Sequence, residues 1–148
     1  MIFGIGTDII EIKRVKKAIL RNPKLVERLF TEQELEYYKK RNMNIQHIAG
    51  GFAAKEAVLK ALGTGLGPFR WKDIEILRMS VGKPIVKLNS RIRQYMQYNG
   101  IGDIHITISH SKEYATATAI AEVSIEREGM VIEDLLLQTD EEARRNIH

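Results

Sequence analysis

Asp8 follows a short apolar run carrying two glycines, "MIFGIGT", and its carboxylate suits either a metal ion or a helix N-terminus. Glu11, three residues on, gives the pair the spacing of an N-terminal capping box, so a structural reading competes with a metal-binding one. Glu56 and Lys60 stand four apart in the favoured order for a helix ion pair, worth roughly 0.2–0.5 kcal/mol on an exposed surface. They lie, however, in "FAAKEAVLKALGTG", where Phe52, Ala53, Ala54, Ala57, Val58, Leu59, Ala61 and Leu62 cover nearly the whole helical circumference. Glu56 and Lys60 share one narrow wedge of that wheel, and Lys55 points about 100° round from Glu56. A helix so apolar is buried, and buried charge requires a partner. A structural pair and a functional site remain open on these residues alone.

Two further groups carry chemistry. In "HITISH" a strand would place His105 and Ser109 on one face and His110 on the other. No acidic residue close in sequence orients either imidazole, so a half-exposed polar strand face competes with a binding role. In "ALGTGLG", Gly63 and Gly65 would let a backbone approach a phosphate, but helices also end in glycine for conformational reasons alone. The spacing is not that of a Walker loop.

The elements that must position these groups follow from periodicity and punctuation. "MIFGIGT" reads as a strand, and the apolar residues from Ile9 to about Arg21 recur at helical spacing. Asn22-Pro23 is expected to start another helix, with Asn as N-cap. Thr31 and Glu34 form a capping box flanked by the staple pair Phe30 and Leu35. A longer helix is expected from about Gln46 to Leu62, stopped by "GTGLGP". "DIEIL" and "PIVKL" alternate as strands joined through "SVGKP"; Asn89 caps a short helix ending at Gly100; "DIHITIS" and "YATATAIAEV" are the last strands. The fold class is therefore α+β, with helices in the first half packed on a mostly antiparallel sheet. "VIEDLLLQTDEEARRNI" is expected to add one more helix.

With 148 residues the chain has room for one domain. It has no cysteine, which excludes disulfides, thiolate metal sites and a Cys nucleophile, and fits a reducing compartment. No basic n-region precedes the first apolar residues, and no uncharged run approaches the roughly 18 residues of a membrane span. A cytoplasmic protein without membrane contact is expected. The net charge of +4 is asymmetric: from Glu122 onward eight acidic residues face three arginines, leaving +9 on the first 121 residues. Lys13, Arg14, Lys16, Lys17 and Arg21 form a one-signed surface opposite an apolar stripe, which suits either solvent or an acidic partner. Nucleic acid is a poorer match, since aromatics are sparse and no binding motif is present.

Taken in order, "GIGTDIIEI", "AGGFAAKEAVLKALGTG", "WKDIEI", "GKP", "HITISH" and "YATATAIAE" resemble the holo-acyl-carrier-protein synthases, the small bacterial type of 4′-phosphopantetheinyl transferase. The resemblance spans roughly residues 1–122 as the transferase domain and leaves 123–148 as an acidic extension. It implies transfer of 4′-phosphopantetheine from coenzyme A to a serine of apo-acyl carrier protein, with release of adenosine 3′,5′-bisphosphate, in fatty acid biosynthesis. It also implies a requirement for Mg2+ with Asp8 and Glu56 as its carboxylates, and Lys60 as a phosphate-facing cation. The serine proton would leave through Glu56 or through water held by Asp8. Coenzyme A contacts would come from Lys60, Gly63, Gly65, Gly82, Lys83, Pro84, His105, Ser109 and His110. Lys13, Arg14, Lys17 and Arg21 would dock the acidic carrier protein, and a homotrimer with sites between subunits is implied. The alternative is a degenerate module that binds coenzyme A or carrier protein without turnover. It is motivated by Gly51, which stands where the family commonly has an arginine associated with the 3′-phosphate of coenzyme A. That contact is lost unless Arg41, Lys39 or Lys40 replaces it. The extension would either mimic the acidic carrier protein over the basic helix or pack as an added helix.

Overall fold

In a computed structural model of the chain, residues 1–125 are described. The expected C-terminal helix lies outside them. Strand β1 (Ile2–Glu11) leads into α1 (Ile12–Arg21), α2 (Leu25–Leu29), α3 (Glu32–Lys40) and the long α4 (Ile45–Leu62). A 3₁₀ turn at Trp71–Asp73 precedes the hairpin β2 (Ile74–Arg78) and β3 (Pro84–Leu88). The chain then forms α5 (Ser90–Asn99), β4 (Ile101–His110) and β5 (Tyr114–Val123). Both sheets are antiparallel: three strands in the order β1-β5-β4, and the separate pair β2-β3.

The three-stranded sheet packs one face on α4, and residue size explains how closely. Central β5 alternates Ala115, Ala117, Ala119 and Ala121, all buried, with outward Thr116, Thr118 and Ile120. α4 answers with Ala53, Ala54, Ala57 and Ala61, equally buried. On β1 the inward positions begin with Gly4 and Gly6. A Cβ on Gly4 would sit 2.1 Å from the Ala61 carbonyl oxygen, and one on Gly6 2.0 Å from that of Ala57. Only glycine permits this approach of helix backbone to strand backbone. Larger residues fill the ends: Val58, Leu59, Leu62, Ile74, Ile92 and Met96 on the α5 and hairpin side, Phe30, Tyr38 and Ile48 toward the first helices.

Most punctuation holds. Thr31 and Glu34 form the reciprocal capping box, Asn89 caps α5 and Gly100 ends it left-handed at φ 68°. Asn44 caps α4 through Gln46 N–H, and Gly63 closes it at φ 76°. Three expectations are corrected. The helix expected from Ile9 begins at Ile12, because Asp8, Ile9, Ile10 and Glu11 remain in the ladder opposite Ala117, Thr116, Ala115 and Tyr114. The Asp8/Glu11 capping box therefore does not form; Glu11 precedes α1 without a side-chain cap bond. Asn22 ends α1, its N–H donating to the Ala18 carbonyl, and α2 starts only at Leu25 after Lys24.

Gly6→Ala is expected to destabilise the protein by on the order of 3 kcal/mol, since its methyl meets backbone rather than a yielding side chain. Urea unfolding with an unchanged m-value would record this as a lower midpoint. A wild-type midpoint would refute the close approach.

Candidate functional site

Strand alternation carries Asp8 inward. Gly4, Gly6, Asp8 and Ile10 share the α4-facing side of β1, while Ile5, Thr7 and Ile9 face out. The close approach at Gly6 puts the first carbon of the Lys60 side chain directly over the strand, 2.8 Å from where a Gly6 Cβ would be. Lys60 then runs along β1, donating to the Thr7 carbonyl (2.9 Å) and to Asp8 Oδ1 (3.1 Å). Its side chain is 51% exposed and that of Asp8 17%. The intrahelical Glu56–Lys60 ion pair is not formed. Lys60 instead reaches across to the strand.

Glu56, half-buried, faces the same site one turn earlier on α4. Burial pushes its carboxyl above the ordinary value, the Asp8 charge pushes it further, and Lys60 opposes both. Two carboxylates thus face each other near one ammonium. They border a cavity of about 580 Å³ whose other walls are Ile10, Arg14, Val15, Ile19, Leu29, Phe52 and Trp71, among others. The donor set suits a hard divalent cation that takes few protein carboxylates and fills its shell with water and phosphate oxygens. A divalent ion would relieve the like-charge repulsion between Asp8 and Glu56. Among the described residues no group of three or more His, Asp or Glu side chains is gathered for a metal.

The remaining sequence candidates fall elsewhere. Lys13, Arg14, Lys17 and Arg21 are exposed on α1, with Arg14 at the cavity rim. Gly63, Gly65 and Gly82 adopt φ of 76°, 57° and 87° with open space where a side chain would start, so backbone conformation accounts for each. Gly82 and Lys83 turn the β2-β3 hairpin and Pro84 starts β3. His105 lies on the outer sheet face, 3.2 Å from Glu122, with Thr107 and Ser109 following on that face. None of Gly63, Gly65, Gly82, Lys83, Pro84, His105 and Ser109 lines the Asp8/Glu56 cavity.

The partners of several residues singled out above escaped the sequence reading. His110 at the end of β4 lies 5.7 Å, ring to ring, from His47 in the first turn of α4. His47 has a buried, unpartnered Nδ1, and burial, with His110 next, holds its imidazole below the ordinary value. Lys55, which the helical wheel turns about 100° away from Glu56, is fully buried in an ion pair with Glu34 at 2.7 Å. Gly51 is buried because Tyr38 occupies its side-chain space: a Cβ there would lie 1.9 Å from the tyrosine hydroxyl. Beside it, Arg41 stacks on the Tyr37 ring at 3.9 Å, and Arg78 reaches the same ring at 5.6 Å. Spacing could flag Arg41 but not Arg78, which the hairpin brings in.

The family model described as the 4′-phosphopantetheinyl transferase superfamily matches residues 4–119. A curated holo-[acyl-carrier-protein] synthase of Clostridium botulinum (strain Eklund 17B / Type B) is 53% identical over 123 residues, covering 83% of this chain and 99% of that protein. The crystal structure of the holo-[acyl-carrier-protein] synthase from Neisseria meningitidis superimposes with a TM-score of 0.77 at 31% identity, covering 82% of this chain and 99% of that one. A Bacillus anthracis holo-(acyl-carrier-protein) synthase, solved in complex with CoA (3′,5′-ADP), gives 0.70 at 39% identity, with 84% and 99% coverage.

Because the Glu56 carboxyl is held above its unfolded value, the folded chain keeps a proton that the unfolded chain has already released. Stability therefore falls as pH rises from the ordinary carboxylate range through the raised value. Glu56→Gln removes that loss. In chelator-treated protein the variant should melt above wild type at neutral pH, with the gap closing at pH values below the ordinary carboxylate range. Calorimetry at two pH values checks this, and an equal or lower melting point at neutral pH would contradict it.

Proposed function

The chain belongs to the 4′-phosphopantetheinyl transferase superfamily, and on that premise we propose that it acts as a holo-acyl-carrier-protein synthase. The 4′-phosphopantetheine of coenzyme A passes to a serine of apo-acyl carrier protein, and adenosine 3′,5′-bisphosphate leaves. The observation that carries this reading is the meeting of Asp8 and Glu56, 48 positions apart in the chain, in one cavity, with the Lys60 ammonium paired to Asp8 beside them.

The serine oxygen forms a bond to the phosphorus bearing pantetheine, and the bridging P–O bond of the pyrophosphate breaks with its electrons on the departing nucleotide. Glu56, or water held by Asp8, takes the serine proton. The half-exposed Lys60 donates through its ammonium to the Thr7 carbonyl and Asp8, so its charge is held where a phosphate oxygen arrives. Asp8 and Glu56 would hold Mg2+, which supplies neutralisation of the pyrophosphate charge. Coenzyme A contacts are assigned to Gly63, Gly65, Gly82, Lys83, Pro84, His105, Ser109 and His110, with the 3′-phosphate taken by Arg41 and Arg78. Neither arginine has a carboxylate partner among the described residues, and both are fixed on Tyr37. Arg14 presents its charge at the cavity and Lys13, Lys17 and Arg21 continue the basic surface along α1, so an acidic carrier protein on α1 brings its serine toward Glu56.

A homotrimer is supported by the sheet face opposite α4. Ile5 (62% exposed), Ile9 (68%) and the neighbouring Thr7, Thr118 and Thr107 form an uncovered apolar and hydroxyl surface. Sites completed between copies would bring the outer-face His105 and the hairpin Gly82 to a neighbour's carboxylates. No helix among the described residues is long and apolar enough to cross a membrane. A cytoplasmic enzyme fits that observation and the absence of cysteine.

Incubation with coenzyme A, magnesium and apo-acyl carrier protein should add one phosphopantetheine mass to the carrier protein by mass spectrometry. Glu56→Gln should lower the rate at least ~100-fold while remaining folded. Absence of the mass increment at high enzyme concentration would overturn the proposal. Arg14→Glu/Lys17→Glu should raise KM for carrier protein roughly tenfold and flatten its salt dependence, leaving KM for coenzyme A unchanged. Steady-state kinetics at two ionic strengths makes the comparison.

A further inference from the structure

The side chain of Lys55 has no exposure, and its ammonium donates to acceptors from three elements: the Leu29 carbonyl (2.7 Å), Glu34 Oε1 (2.7 Å) and the Trp71 carbonyl (3.0 Å). All three donors of the ammonium are used. Glu34, 1% exposed, is equally committed. Its Oε1 also accepts the Thr31 N–H (2.9 Å), and its Oε2 accepts the Ile76 N–H (3.1 Å) at the edge of β2. One buried ion pair thus joins the end of α2, the start of α3, the 3₁₀ turn and β2 to α4.

Packing alone does not require charge here, because buried ion pairs are commonly replaceable by apolar residues of similar size. The location of the acceptors is what sets this pair apart. Leu29 and Trp71 both line the Asp8/Glu56 cavity, as do Phe30 and Phe52. The Trp71 ring lies 5.2 Å from Phe52, and the ammonium lies 5.1 Å above the Phe30 ring. Lys55 immediately precedes Glu56, so the residue that grips the far wall of the cavity is covalently next to the carboxylate on the near wall.

We infer that Lys55 and Glu34 are positioning residues, which clamp the Leu29–Phe30 corner and Trp71 against the Phe52–Glu56 face of α4 and so set the gap into which the serine-bearing partner fits. This rests on the transferase reading above. Neither residue touches the reacting atoms; both act through Trp71, Leu29 and the helix that carries Glu56.

The test uses Lys55→Met/Glu34→Gln, which removes both charges and leaves one amide oxygen to accept from the Thr31 or the Ile76 N–H. Trp71 is the only tryptophan in the chain, so its emission and acrylamide quenching report the wall directly and without substrates. At a temperature where melting curves show the variant fully folded, quenching should rise and kcat should fall roughly 10- to 100-fold, with KM for coenzyme A within about twofold. Unchanged quenching and kcat in the folded variant would make the pair a packing feature only and overturn the inference. Should the double variant not fold, Glu34→Gln alone, which keeps the two carbonyl bonds of Lys55, is read in the same way. An inactive wild type overturns the transferase reading, whereas quenching still decides the clamp.

Discussion

The backbone of β1 meets the backbone of α4 at Gly4 and Gly6, with no room for a single methyl group between them. Everything at the site depends on that distance. A helix held off by ordinary side chains would stand about 10 Å from the strand it covers, beyond the reach at which Lys60 bonds both the Thr7 carbonyl and Asp8. The alanines opposite, Ala57 and Ala61 on the helix and Ala117, Ala119 and Ala121 on β5, serve the same end from the other side. Small residues bury little apolar area apiece, so the interface gains from close dispersion contacts over a wide, flat surface rather than from large side chains. The bulk that the core needs is moved to its ends, at Leu59, Leu62, Ile74 and Ile92 and at Phe30, Tyr38 and Ile48.

This arrangement explains which parts of the molecule were legible in the sequence. Signals contained within a few residues survived intact: the Thr31/Glu34 box, Asn89 and Gly100 around α5, Gly63 at the end of α4, and the alternation of β2, β3, β4 and β5. The failures lie where partners are distant. Ile9 and Ile10 fit both a helical and a strand period, and pairing with β5 more than a hundred positions later decides for the strand. Once the ladder holds Asp8, its carboxylate cannot cap α1, and the capping reading fails for a reason no local pattern contains.

Partnering of charge was illegible for the same reason. The helical wheel showed that Lys55, Glu56 and Lys60 needed partners and gave the direction of each, but not who stood there. Glu34 lies 21 positions before Lys55 and Asp8 52 before Lys60. Gly51 is a similar case. It reads as an absence beside the family pattern, whereas in the fold the space is filled by the Tyr38 hydroxyl from α3. A larger side chain at position 51 would have to displace a buried ring that also packs edge-on against Phe30, so the glycine and the tyrosine are one packing decision.

Three charges within six residues of α4 meet three different environments. Lys55 is buried and fully bonded, and its ammonium holds structure. Lys60 keeps its stem on the helix and half its head in solvent, which leaves its charge available. Glu56 lies between them in burial, desolvated and facing a like charge without a hydrogen bond of its own among the described residues to compensate. Burial and the Asp8 carboxylate leave it under strain in the free chain, and that strain is tolerable because Lys55, one residue away, anchors the same turn of helix from the opposite side. A carboxylate destabilised in isolation is one that gains most when a cation or a proton arrives.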